Sequence, residues 1–105
     1  MKDAAGRGRP WTFLGTHGQV LLCLGRSPDP RIRDVADRLG ITGRAVQMII
    51  RDLAEAGYLT CRRVGRRNRY EIHIDRPMRH PLVAHREVGA LLELLGPESG
   101  EADEE

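Results

Sequence analysis

A chain of 105 residues, 40% hydrophobic and 30% charged, suffices for one globular domain around one core, and its composition excludes wholesale disorder. Its longest apolar run, Val20-Leu21-Leu22-Cys23-Leu24, is far below the roughly 18 residues of a membrane span, and the N-terminal MKDAAGRGRP lacks a secretory leader's apolar centre, so a cytoplasmic protein is expected. The net charge of +2 hides an asymmetry: five of the 15 acids (Glu98, Glu101, Asp103, Glu104, Glu105) fall in the last eight residues, and without them 17 cations face 10 acids, a body of +7.

Residues 1–10 hold Gly, Arg and Pro without periodicity and are expected to form a flexible arm. A first helix starts at Thr12 or Thr16, either of which can cap it. It carries Val20, Leu21 and Leu24 on one face and stops between Gly25 and Pro30. After the Ser27-Pro28-Asp29-Pro30 turn, Arg31-Ile32-Arg33 leaves room for a very short strand. Asp34 to Leu39 then sets Val35, Ala36 and Leu39 on one side of a two-turn helix ended by Gly40. Gly40-Ile41-Thr42 reads as a tight turn with Thr42 as the cap of the next helix. Over residues 43–56, Val46, Ile49, Ile50 and Leu53 recur at i, i+3, i+4 and i+7, and Gly57 follows as the stop. At about 100° per residue that stripe points Arg44, Gln47, Met48 and Arg51 the other way.

Tyr58 to Val64 reads as a strand, Gly65-Arg66-Arg67-Asn68 as a hairpin turn, and Arg69 to Ile74 as the returning, half-buried strand. A loop from Asp75 to Pro81 leads to a last helix over about Leu82 to Leu95, with Val83, Val88, Leu91, Leu92 and Leu95 on its apolar side. Gly96-Pro97 ends it, and residues 97–105 are expected to be a disordered acidic tail. The expected organisation is therefore an arm at 1–10, one domain at 11–96 and the tail at 97–105. The fold class is α+β, mainly α: a winged helix-turn-helix with a two- or three-stranded wing and an additional C-terminal helix.

Two short helices joined by a Gly-containing turn, followed by an Arg-loaded hairpin, match what double-stranded DNA requires. The major groove admits one helix, whose outward side chains meet base edges. Arg44 and Arg51 suit guanine or phosphate, Gln47 suits adenine, and Met48 suits a thymine methyl. Arg62, Arg63, Arg66, Arg67 and Arg69, with no acid between Glu55 and Glu71, form a loop able to follow phosphates or enter a narrow minor groove. Thr42, at the helix start, adds a backbone contact. If all five wing cations neutralised phosphates, log K would fall against log salt with a slope near about −4.5.

The stretch RIRDVADRLGITGRAVQMIIRDLAEAGYLTCRRVGRRNRYEIH, above all DVADRLGIT and DLAEAGYL, resembles the winged helix-turn-helix of ArsR/MarR-type bacterial transcription regulators. The resemblance spans residues 12–75. It implies a homodimer on a palindromic operator, base-facing residues Arg44, Gln47, Met48 and Arg51, and Arg66 and Arg67 at the wing tip. It also implies a dimer interface from the terminal helices, residues 12–26 and 82–95, including Leu82, Val88, Leu91, Leu92 and Leu95. The metal-sensing members' paired cysteines have no counterpart in Asp34 to Arg38, and the chain is short for the pocket of the larger MarR-type proteins, so no sensed ligand is implied.

Other features point elsewhere less strongly. His73, His80 and His85 lack the spacing of a metal site, and Cys23 and Cys61 are too few for a disulfide framework or a four-ligand zinc site, so neither metal nor cofactor is expected. Cys61 next to Arg62 and Arg63 allows a redox switch, with an inert strand cysteine the simpler reading; Cys23 reads as core. Trp11 suits a hydrophobic staple or an interface anchor, packing being the default. No phosphate-cradling glycine loop or nucleophile motif is present, so no enzyme is expected. The sequence thus predicts a nucleoid-associated, DNA-binding regulator. The alternative is a winged-helix interaction module whose basic wing meets an acidic partner or RNA polymerase.

Overall fold

The computed structural model describes residues 10–27 and 29–96. The arm and tail of the sequence reading, Pro10 excepted, lie outside them. In chain order the elements are α1 (Thr16–Arg26), α2 (Ile32–Leu39), α3 (Gly43–Glu55), β1 (Leu59–Val64), β2 (Arg67–Ile72) and α4 (Val88–Leu95). The architecture is α+β, mainly helical: a three-helix cluster, a two-stranded antiparallel wing and a C-terminal helix.

The helices meet because their apolar spacings face inward together. Val20, Leu21 and Leu24 of α1, Val35 and Ala36 of α2, and Val46, Ile49, Ile50 and Leu53 of α3 form one core, closed by Tyr58, Leu59 and Val88. Burying each of the large aliphatic side chains stabilises the fold by about 1.5–3 kcal/mol. The ends are set locally. Gly40 takes the left-handed conformation (φ 70°) after α2, and its amide and that of Ile41 both donate to the Ala36 carbonyl. Thr42 Oγ1 then accepts from the Ala45 amide at 3.0 Å and starts α3. Thr42→Ala should therefore lower stability by about 1 kcal/mol, read as an earlier denaturant midpoint at unchanged slope. Gly57 (φ 89°) closes α3, with Gly57 N donating to Ala54 O and Tyr58 N to Leu53 O.

Several elements differ from the sequence expectation. Arg31-Ile32-Arg33 is not a strand: Arg31 is the extended N-cap, and Ile32 opens α2. Ile32, Val35, Ala36 and Leu39 complete an i, i+3, i+4, i+7 face, and the third of a three-stranded wing is not present among the described residues. The hairpin turn is shorter than read. Val64 pairs with Arg67, leaving only Gly65 (φ 65°) and Arg66 between the strands, a two-residue turn with glycine at its first central position. The strand β2 accordingly spans Arg67–Ile72, and Ile74 lies beyond it.

The last helix begins at Val88, not Leu82. Val83 and Val88, five residues apart, would stand about 140° apart on a helix and cannot share a face. Residues 78–87 instead satisfy their backbone in turns, with Val83 N donating to His80 O, Arg86 N to Val83 O and Met78 N to Arg86 O. Extended Glu87 bridges Pro77 before the helix starts. The first helix begins at Thr16 with Gly15 as its cap, so Leu14 occupies the staple position and Trp11 does not. Trp11 stands 77% exposed, edge-on to the still more exposed Phe13 at 5.0 Å, contrary to the packed position that was the default expected of it.

Candidate nucleic-acid interface

The outward face of α3 follows from what its inward face buries. Val46 is fully buried and Ile49, Ile50 and Leu53 nearly so, which turns Arg44, Gln47, Met48 and Arg51 to solvent. Among the described residues none engages Arg44, Gln47 or Arg51 through a hydrogen bond or ion pair. Met48 is 57% exposed, an apolar side chain that the core leaves out. Behind this face α3 packs on both α1 and α2, so its backbone is held by two helices while these side chains stand exposed. A further tie, which no sequence signal marks, is the 2.8 Å contact between His17 Nε2 on α1 and Asp52 Oδ2 on α3. It lies on the flank of α3 and occupies the carboxylate next to Arg51.

The wing distributes its five arginines unequally. Directly paired residues share a face, so Arg62 and Arg69, cross-strand partners, stand on the outer face with Val64 and Arg67. The opposite face carries Leu59 and Ile72 toward the core, followed outward by Cys61 with Tyr70 and Arg63 with Asn68. Like charges placed directly opposite repel, which makes the Arg62–Arg69 pair a place where an anion lowers the energy. Arg62 also meets Glu71 at 3.7 Å, a weak exposed contact. Arg63 folds back, its Nε donating to the Gly65 carbonyl at 3.2 Å. Arg67 reaches out of the wing, donating to the main-chain carbonyl of Asp29 at 2.9 Å and standing 3.3 Å from its carboxylate. Arg66 at the tip and Arg69 have no such partner among the described residues.

The remaining candidates settle into structural positions. The ring of His73 lies between Gly57 O, 2.8 Å from Nδ1, and Thr60 Oγ1, 2.8 Å from Nε2. A carbonyl only accepts, so Nδ1 carries a proton and the ring staples β2 to the end of α3. His80 takes a positive φ of 92° and its Nδ1 accepts from Leu82 N, while His85 is exposed. Among the described residues no group of three or more His, Cys, Asp or Glu is placed to hold a metal ion. Cys23 is half-buried against the core, and burial pushes its thiol pKa up. Cys61 is exposed on the wing.

Of the residues assigned to a dimer interface, Leu82 is exposed but sits in a turn, outside any helix. Val88 is only 2% exposed and belongs to the chain's own core, so it is unavailable to a partner. Leu91 and Leu92 are half-buried, Leu92 against the core, and Leu95 is exposed. Leu94, which the apolar stripe omitted, is the most exposed leucine of α4 at 78%. No helix among the described residues is long and apolar enough to cross a membrane.

Set beside known proteins, residues 12–67, just over half of the chain, match the sequence profile of the MarR family. The matched segment runs from the lead-in of α1 to the first residue of β2, and so contains the whole three-helix cluster and the first wing strand. None of the curated proteins matches the chain.

Proposed function

Because this chain belongs to the MarR family of DNA-binding transcription regulators, we propose that it binds a specific double-stranded operator as a homodimer, with α3 in the major groove and the wing on the flanking phosphates or minor groove. The observation that carries this reading is the unengaged Arg44–Gln47–Met48–Arg51 face on a helix whose other side is clamped into the core. Arg44 and Arg51 supply forked donors for guanine edges or phosphates, Gln47 can pair with adenine, and Met48 offers contact to a thymine methyl. Thr42, at the exposed start of α3, lies where a backbone phosphate meets the helix N-terminus.

From the wing, Arg62, Arg66 and Arg69 are the phosphate contacts. They contribute about −2.7 to the salt slope per protomer, in place of the −4.5 expected if all five arginines took part. The dimer uses the outer surface of α4, Leu91, Leu94 and Leu95, together with Leu82, supported by the exposure of Leu94 and Leu82 in so small a domain. The protein acts at the nucleoid, as an arm, a domain and an acidic tail in one chain.

Selection from a randomised duplex pool, followed by salt titration on the winners and on scrambled DNA, tests the reading. Enrichment of an inverted repeat with half-sites one helical turn apart, roughly 34 Å, is the expected result. Binding without enrichment would reduce the function to backbone-only contact, and no binding at low salt would favour the protein-partner alternative.

A further inference from the structure

The wing carries a cation whose geometry is wrong for a phosphate ligand. Arg67 Nη2 donates to the main-chain carbonyl of Asp29 at 2.9 Å and lies 3.3 Å from Asp29 Oδ1. That carboxylate oxygen is buried and has no hydrogen-bond partner among the described residues, so the guanidinium supplies its charge compensation. Asp29 sits in the connection between α1 and α2, 38 residues from Arg67 in sequence. It precedes Arg31-Ile32-Arg33, where a very short strand was expected and where the chain instead passes into α2. A two-stranded hairpin on its own is marginally stable, and this one reaches the core through Leu59, Tyr70 and Ile72, in the half away from the turn. The Arg67–Asp29 contact is the described tie at its far end.

We infer that Arg67 is a positioning residue: with Asp29 it forms a strut that fixes the angle of the wing relative to α2 and α3, and so the register in which Arg62, Arg66 and Arg69 meet DNA. The inference rests on the DNA-binding reading above and assigns Arg67 to the protein, not to the nucleic acid. The two roles predict opposite signs for one substitution. If Arg67 were a phosphate ligand restrained by Asp29, removing the acid would free a cation, tighten binding and steepen the salt slope by about 0.9. If it is a strut, removing the acid loosens the wing and weakens binding, even though the protein becomes more positive.

The test compares the unmodified chain with Asp29→Asn, Arg67→Ala and the double variant on a selected duplex and a scrambled one, across a salt series. Amide exchange of each free protein is measured alongside. Asp29→Asn keeps the main-chain carbonyl and the side-chain volume, so it perturbs folding least. The expected result is binding weakened on the order of tenfold by Arg67→Ala and less by Asp29→Asn. The double variant should be no worse than Arg67→Ala, with an unchanged salt slope and faster exchange at the Val64–Arg67 turn while α1 to α3 keep their protection. Tighter binding by Asp29→Asn, or a slope flattened by about 0.9 in Arg67→Ala with wing exchange unaltered, overturns the inference and makes Arg67 a phosphate contact. Should the unmodified chain bind no duplex, the operator reading fails. The exchange comparison would still decide the strut, because it needs no DNA.

Discussion

Arg44→Ala and Gln47→Ala are each expected to weaken binding to the preferred duplex by about 1–3 kcal/mol and to broaden the bases accepted at one position. Both side chains are exposed and unengaged among the described residues, so the unfolding midpoint should stay within about 0.5 kcal/mol of the parent. The combination of lost specificity with intact stability is what identifies a base contact. Replacing Arg66 and Arg69 together by Ala should behave differently. It should weaken selected and scrambled duplexes alike and flatten the salt slope by about 1.8, because phosphate contacts carry no sequence information. If Gln47→Ala left both affinity and base preference unchanged in the selection assay, α3 would have to dock through another face.

Gly89→Val is expected to cost about 2–3 kcal/mol of folding stability. A Cβ at residue 89 would stand 2.9 Å from the Ile74 carbonyl oxygen and 3.0 Å from Ile74 Cβ. The carbonyl cannot retreat without loss, because it accepts the Gly89 amide at 2.9 Å while the Val88 amide donates to Arg76 O at 2.8 Å. These two bonds seat the start of α4 on the segment that follows β2. Pushing the helix away uncovers Val88 and the Leu92 contact, which approaches the space beside Gly25. Gly18→Ala in α1 is the matched control. Its Cβ would meet only Leu14 at 3.8 Å, an ordinary contact, so better helix propensity should leave it neutral or stabilised by up to about 1 kcal/mol. Thermal or denaturant unfolding of the two variants separates the clash from any general effect of replacing a helical glycine.

For a dimeric regulator the second result has a functional side. The proposed partner surface, Leu91, Leu94 and Leu95, is presented by α4, and α4 is oriented by the Gly89 approach. A variant that folds but loses this seating should therefore dissociate at higher concentration and bind a two-half-site duplex less tightly.

Local patterns sufficed wherever a feature is decided within one or two helical turns. The Val46–Ile49–Ile50–Leu53 stripe determined both the core side of α3 and, by exclusion, the Arg44–Gln47–Met48–Arg51 face. Thr42 as a cap and Gly40 and Gly57 as stops were legible because capping needs a side-chain oxygen or a left-handed residue at one defined place. The pattern DVADRLGIT with DLAEAGYL likewise pointed to the family that the profile match shows.

What the sequence could not decide depends on partners far along the chain. The stretch 31–33 was ambiguous between strand and helix until Ile32 joined Val35, Ala36 and Leu39 on the core side. The start of α4 was misplaced because Leu82 and Val83 look helical locally, whereas the bonds from Met78 to Arg86 and from Val88 to Arg76 bind that stretch into a turn. Val88, expected on the apolar side of the last helix and at a dimer interface, is instead core, since α4 lies on α1. The five wing arginines are equivalent as composition, yet the tertiary structure divides them: Arg67 is committed to Asp29, Arg63 to its own turn, and Arg62, Arg66 and Arg69 face outward. The sequence by itself determined which helix face and which hairpin bear the charge, because side-chain direction within an element follows from its period. Only the tertiary structure decided which of those charges are spent inside the protein, because that depends on an acid 38 residues away whose position no local pattern encodes.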